Sequence, residues 1–187
     1  MNVARFPDGV ETRAAGGELR AAAGRGLQGY AALFAQEARI ADRFTEVLAP
    51  GCFAASLGSR DIVALSDHDP AKVLGRTRSG SLKLSENGLG LWFEISEMPN
   101  TTAANDVLEL VRSGNAGGCS FGFTVAPDGE KWTGTRRELR AVTLHEISIV
   151  SAWPAYQGTS VSARAMARAA TEAPGVRRWR LWTEARR

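Results

Sequence analysis

Few residues in this sequence could carry out acyl-transfer chemistry. Gly117-Gly118-Cys119-Ser120-Phe121-Gly122-Phe123 reads as a β-strand. Alternation sets Cys119, Phe121 and Phe123 on one face, and Gly118, Ser120 and Gly122 on the other. The first set anchors the strand in a core. The second leaves a hydroxyl between two residues without side chains, where another backbone can come close. A serine hydroxyl becomes a nucleophile when a base takes its proton and a third group orients that base. Without that company, Ser120 is a serine in a glycine-rich strand edge.

The chain holds two histidines, so the candidate bases are few. His68 follows the apolar run Asp61–Ser66 within Asp67-His68-Asp69-Pro70, a turn that can point into a cleft. Taken alone it reads as a surface histidine in an acidic turn. His145 and Glu146 sit in Leu144-His145-Glu146-Ile147-Ser148-Ile149-Val150. Alternation puts His145 with Ile147 and Ile149, and Glu146 with Ser148. A carboxylate in so apolar a strand needs a partner if it stays charged, and a histidine would serve. The plain alternative is an outward carboxylate solvated at a sheet surface.

The elements that must position these groups are mostly short strands. Gly29–Phe34, Phe44–Leu48, Asp61–Ser66, Val73–Thr77, Ser81–Ser85, Leu89–Ile95, Gly117–Val125, Arg137–Ala141 and Val142–Val150 all read as extended. Ser79-Gly80 and Asn87-Gly88 are turn signals, and Asn-Gly is a strong hairpin signal. Gln36–Phe44 reads as a loop and Cys52–Leu57 as a short helix. One clear helix is capped by Asn100 or Thr101, carries the apolar stripe Ala104, Val107, Leu108 and Val111, and closes at Gly114. Many short strands with one long helix predict a mainly β fold with flanking helices, arranged as a closed or nearly closed β-barrel.

Length suits one domain, and 44% hydrophobic with 23% charged residues excludes a disordered chain. No apolar run is long enough for a membrane span, and Met1–Arg5 lacks a secretory h-region, so a cytoplasmic setting is expected. Two cysteines, Cys52 and Cys119, make no disulfide framework. The net charge of +3 is uneven, because residues 164–187 carry seven arginines against two glutamates. This divides the chain into a flexible arm (1–17), a folded domain (18–163) and a basic tail (164–187) that is disordered or removed. No base-reading or metal-finger motif accompanies the tail, so nucleic-acid binding has only its charge behind it.

Three segments in order, His68-Asp69-Pro70 with Val73–Thr77, Gly118–Phe123, and Leu144–Val150, resemble the prohead proteases of tailed bacteriophages, the capsid-maturation serine peptidases. Gly29–Phe34, Glu46–Phe53, Pro154-Ala155-Tyr156 and Thr159-Ser160-Val161 are similar to further motifs of that family, so the resemblance spans about residues 18–163. It implies Ser120 as nucleophile, His68 as general base and Glu146 as the orienting acid. It also implies the barrel of the herpesvirus assemblin-type proteases, with His145 as runner-up for the third role because those enzymes use a second histidine there. Cys119 departs from the methionine expected at its position. The implied partners are the major capsid protein or scaffold as substrate and a second copy of the chain in a homodimer. The implied place is the host cytoplasm, inside the immature capsid, with self-cleavage of the arms. No cofactor or metal is implied. Two other readings stand beside this one. The first is a non-enzymatic capsid- or scaffold-binding module on the same fold; the second is Cys119 as a thiol nucleophile paired with His145. The turn at Trp153–Tyr156 is a candidate oxyanion-hole donor by its closeness to Glu146.

Overall fold

The computed structural model describes residues 9–15, 19–22, 24–40, 43–116, 118–151 and 159–160. The strands are β1 (Glu11–Ala15), β2 (Leu19–Ala21), β3 (Leu27–Leu33), β4 (Ala38–Ile40), β5 (Phe44–Leu48), β6 (Val63–Ser66), β7 (Asp69–Arg76), β8 (Leu82–Glu86), β9 (Gly90–Ile95), β10 (Gly118–Val125), β11 (Glu130–Thr133), β12 (Arg136–Leu139), β13 (Val142–Val150) and β14 (Thr159–Ser160). The helices are α1 (Ala54–Ser59) and α2 (Thr102–Arg112). The basic tail 164–187 and the Trp153–Tyr156 turn lie outside the described residues.

The expected closed barrel is not what forms. The described strands make three open sheets, ordered β1-β10-β13-β6-β7, β11-β12-β5-β4-β14 and β2-β3-β9-β8. A barrel needs its last strand to pair with its first, and here β1 and β7 remain at opposite edges of their sheet. Local pattern marks where many of the strands lie. Which strand pairs with which is set by contacts between residues far apart in sequence, and local pattern does not carry these.

The local readings fare better. The Asn87 corner joins β8 to β9 as an antiparallel hairpin, with Asn87 Oδ1 accepting from the Leu89 amide at 2.8 Å. Thr101 caps α2 by accepting from the Ala104 amide, and Ala104, Val107 and Leu108 are buried beneath it. The Gln36–Phe44 segment, read as a loop, contains β4, which adds to β5. Glu11–Ala15, within the expected arm, is the edge strand β1, antiparallel to β10.

The core lies between the sheets and binds the inner face of β10. Phe121 meets Phe53 edge-on with ring centroids 5.5 Å apart and stacks on Phe123 at 5.3 Å. Both rings and Cys119 are essentially inaccessible, so β10 cannot rotate and Ser120 is held on the opposite face. α1 fixes the start of β13: Ser56 Oγ donates to the Val142 carbonyl at 3.0 Å and accepts from the Leu144 amide at 2.9 Å. Both bonds are buried, where a lost partner costs most.

Candidate active site

Ser120 lies on β10 directly opposite Ser148 of β13, and Gly122 lies opposite Glu146. Partnered residues point to the same side of a sheet, so Ser120, Gly122, Glu146 and Ser148 share one face. The register then slips between Gly122 and Phe123. Phe123 pairs with Leu144, which leaves His145 as the extra residue of a β-bulge. Simple alternation put His145 with Ile147 and Ile149. The bulge instead sends its imidazole to Thr124, with Nε2 3.1 Å from Oγ1. It also lets Leu144 and Ile147, three residues apart, both enter the core while Glu146 faces the serine.

His68 reaches this face from the neighbouring strand. β6 runs parallel to β13 with Ser148 opposite Leu65 and Ile149 opposite Ser66, so the turn after β6 arrives beside the end of β13. Ser66 and Asp69 are partners, making Asp67-His68 a two-residue hairpin loop. Both loop residues have positive φ, 50° and 56°, the pattern of a type I′ turn, which asparagine, aspartate and glycine favour. A histidine there stores strain of about 1–3 kcal/mol that its surroundings must hold. Asp67 supplies the hold. Its amide donates to the Ile149 carbonyl, and its carboxylate accepts from the Ser151 amide and hydroxyl, each at 2.7 Å.

Partial burial would raise the Asp67 carboxyl, but the Ser151 bonds, with help from Ser66 and Lys72, outweigh it and hold the group below the usual carboxylate range. A depressed carboxylate adds stability above its ordinary value that is lost as pH falls through the folded value, here below about 4. Asp67→Ala is expected to cost about 2–3 kcal/mol, the scale of hydrogen bonds to a charged group. It should also flatten the acid side of a stability–pH profile measured by chemical denaturation.

The imidazole closes onto Glu146. His68 Nδ1 lies 2.7 Å from Glu146 Oε1, Ser148 Oγ donates to Oε2 at 2.7 Å, and the same Ser148 oxygen accepts from the His68 amide at 3.1 Å. Glu146 is fully buried, and both its oxygens are used. Ser148 therefore stands between the turn and the carboxylate on one side and Ser120 on the other. The sequence reading paired it with Glu146 by alternation but assigned it no role. Ser120 Oγ itself donates to the Arg13 carbonyl of β1 at 2.8 Å.

Two neighbours shape the site. A Cβ built on Gly122 would sit 2.5 Å from Glu146 Oε1, so the glycine makes room for the carboxylate. Because that carboxylate is bonded at both ends, it cannot swing aside. Gly122→Ala is expected to cost about 1–3 kcal/mol by overpacking and to lower activity by shifting His68, measurable as a parallel loss of Tm and kcat. Cys119 lies in the core at 1% exposure, and burial, then the Glu146 charge, pushes its thiol well above the ordinary range. That opposes a thiolate nucleophile. His145, the partner in that reading, is occupied at Thr124. Its pKa is lowered by burial and the Arg60 charge, against the pull of Glu146.

A family profile described as caudovirus prohead serine protease matches residues 10–173. The chain belongs to that family. No curated protein and no solved structure matches it. Membership makes the chain a serine protease of the prohead type, and the match spans His68, Ser120, Glu146 and Ser148. No described helix is long and apolar enough to cross a membrane, and no described cluster of side chains has the makings of a metal site.

Proposed function

We propose that this prohead protease is an endopeptidase in which Ser120 is the nucleophile, His68 the general base and Glu146 the acid that orients the base. The observation that carries the reading is the 2.7 Å bond between His68 Nδ1 and buried Glu146, on the sheet face that also holds Ser120. In this reading Glu146 is a carboxylate, which accepts and does not donate, so a neutral imidazole carries its proton on Nδ1 and presents Nε2 as the basic nitrogen. His68 Nε2 takes the Ser120 proton as Oγ attacks a peptide carbonyl, and Glu146 stabilises the imidazolium. His68 then protonates the leaving amine, and water releases the acyl group.

The substrate that fits the family is scaffold, or the scaffold-like part of the major capsid protein, cut inside the immature capsid. The chain's own ends are further substrates. The test is incubation of the full chain with its capsid precursor, followed by mass spectrometry of the products and labelling with a fluorophosphonate. Cleavage, a label on Ser120, and retention of both in Cys119→Ala are expected. Neither cleavage nor label, with the precursor merely bound, would favour the non-enzymatic capsid-binding module instead.

A further inference from the structure

The proposed nucleophile is covered by the chain's own N-terminal segment. β1 lies antiparallel along β10 as the edge strand of its sheet, with Ala14 opposite Ser120, and Ser120 is 3% exposed. Its single hydroxyl proton is held by the Arg13 carbonyl oxygen at 2.8 Å. That proton is then unavailable to an imidazole. The contact is oxygen to oxygen, the geometry of a resting hydrogen bond rather than of attack on a carbonyl carbon.

β1 is also held differently from the strands around it. Its sequence, Glu-Thr-Arg-Ala-Ala, offers no large apolar side chain to a core. Among its described contacts, what fastens it besides the ladder to β10 is mainly charge, and the Arg13 guanidinium also lies over the Phe123 ring at 5.4 Å. Arg13 forms a two-pronged pair with Glu46 of β5, at 2.7 and 3.0 Å. Glu11 accepts two bonds from Arg137 of β12, at 2.8 and 3.0 Å. Burial would raise Glu11, but the bonds from Arg137 and Arg13 outweigh it and keep its carboxyl below the usual range. A strand at a sheet edge, without hydrophobic anchors, belongs to the part of a fold that opens first. The strand edge beneath it is a template for any extended peptide.

We propose that the β1-facing edge of β10 is where the peptide to be cut docks, as an added strand, and that β1 is its resident occupant. Substrate binds by taking the place of β1, and the ion pairs of Glu11 and Arg13 are the latch that sets how often the edge is free. This rests on Ser120 being the nucleophile.

The register supplies a test. Residue 15 is the partner of Cys119, and partners in an antiparallel pair have Cα atoms about 4.5–5.5 Å apart, inside the range a disulfide spans. Full-length Ala15→Cys is oxidised with diamide, the bond is confirmed by mass, and fluorophosphonate labelling and precursor cleavage are followed. Locking is expected to lower both by about 100-fold or more, as when fewer than one molecule in a hundred has a free edge. Dithiothreitol should restore both rates, and Ala15→Cys combined with Cys119→Ser should not respond to oxidant.

Glu11→Gln, which weakens the latch, is expected to raise both rates about fivefold, chiefly through KM. A locked protein that labels and cleaves at the unlocked rate, or a Glu11→Gln protein that is unchanged or slower, would overturn the inference. A wild-type chain that neither labels nor cleaves under any condition would overturn the reading of Ser120 itself, and this inference with it. An active wild type with an active locked form overturns the inference alone.

Discussion

Ser120→Ala is expected to lower precursor cleavage by about 10⁶-fold, the scale seen when an acyl-transfer triad loses its nucleophile. The fold should survive. The hydroxyl is small, the substitution leaves Phe121, Phe123 and Cys119 in the core, and the one bond removed is the 2.8 Å contact to the Arg13 carbonyl. That bond is worth about 1 kcal/mol net, enough to move Tm by a few degrees and too little to unfold the domain. Precursor binding should persist, because backbone pairing along β10 does not need the hydroxyl. Loosening β1 should if anything favour binding. Single-turnover cleavage and a pull-down of intact precursor separate the two effects. Cleavage that continues in Ser120→Ala would remove the serine from the mechanism.

Much of the local geometry of the candidate site was legible in the sequence, because it rests on alternation and turn chemistry, whereas the roles of its residues came only from the resemblance. Alternation in 117–123 set Ser120 opposite two phenylalanines, and the structure buries those rings and turns the serine away from them. Asp67-His68 ahead of Pro70 marked a turn, and the structure makes it a two-residue hairpin loop. Glu146 and Ser148 shared a parity and are bonded. The parts that went unread depend on distant partners. Glu-Thr-Arg-Ala-Ala has no strand pattern of its own and becomes β1 only by pairing with β10. Its ion pairs reach Glu46 and Arg137, far along the chain. Trp132 belongs to β11, whose four residues are all exposed and carry no hydrophobic alternation. The bulge at His145 adds one residue and reverses the parity on its N-terminal side, a step no period-two reading can anticipate. Barrel closure failed for the same reason, since it is a statement about edges and not about strands.

Glu146→Gln is expected to cost less than loss of the serine but still about 10⁴-fold in rate, for a different reason. The side chain is fully buried, with one oxygen 2.7 Å from His68 Nδ1 and the other accepting the Ser148 hydroxyl at 2.7 Å. A carboxamide has one acceptor end and one donor end. If its oxygen keeps the Ser148 hydroxyl, its NH₂ faces Nδ1. The imidazole must then carry its proton on Nε2, the nitrogen that would accept from Ser120. If the oxygen faces Nδ1 instead, the NH₂ meets Ser148 Oγ. The Ser148 oxygen can accept it beside the His68 amide at 3.1 Å, but its own O–H then loses its acceptor and must turn elsewhere, and the imidazolium formed during reaction has no counter-charge. Both arrangements remove catalytic power, and the corresponding change in a Ser-His-Asp triad costs about 10⁴-fold in kcat. Because glutamine nearly matches glutamate in volume, packing against Gly122 is preserved and KM should change little. A role in folding alone would lower Tm and leave kcat of the folded protein in place. An orienting role leaves Tm nearly fixed and lowers kcat. A Glu146→Gln enzyme with wild-type kcat would break the proposed chain of proton transfer. His145 is held elsewhere, because the bulge that sets Glu146 on the face of the serine is the same one that turns His145 toward Thr124.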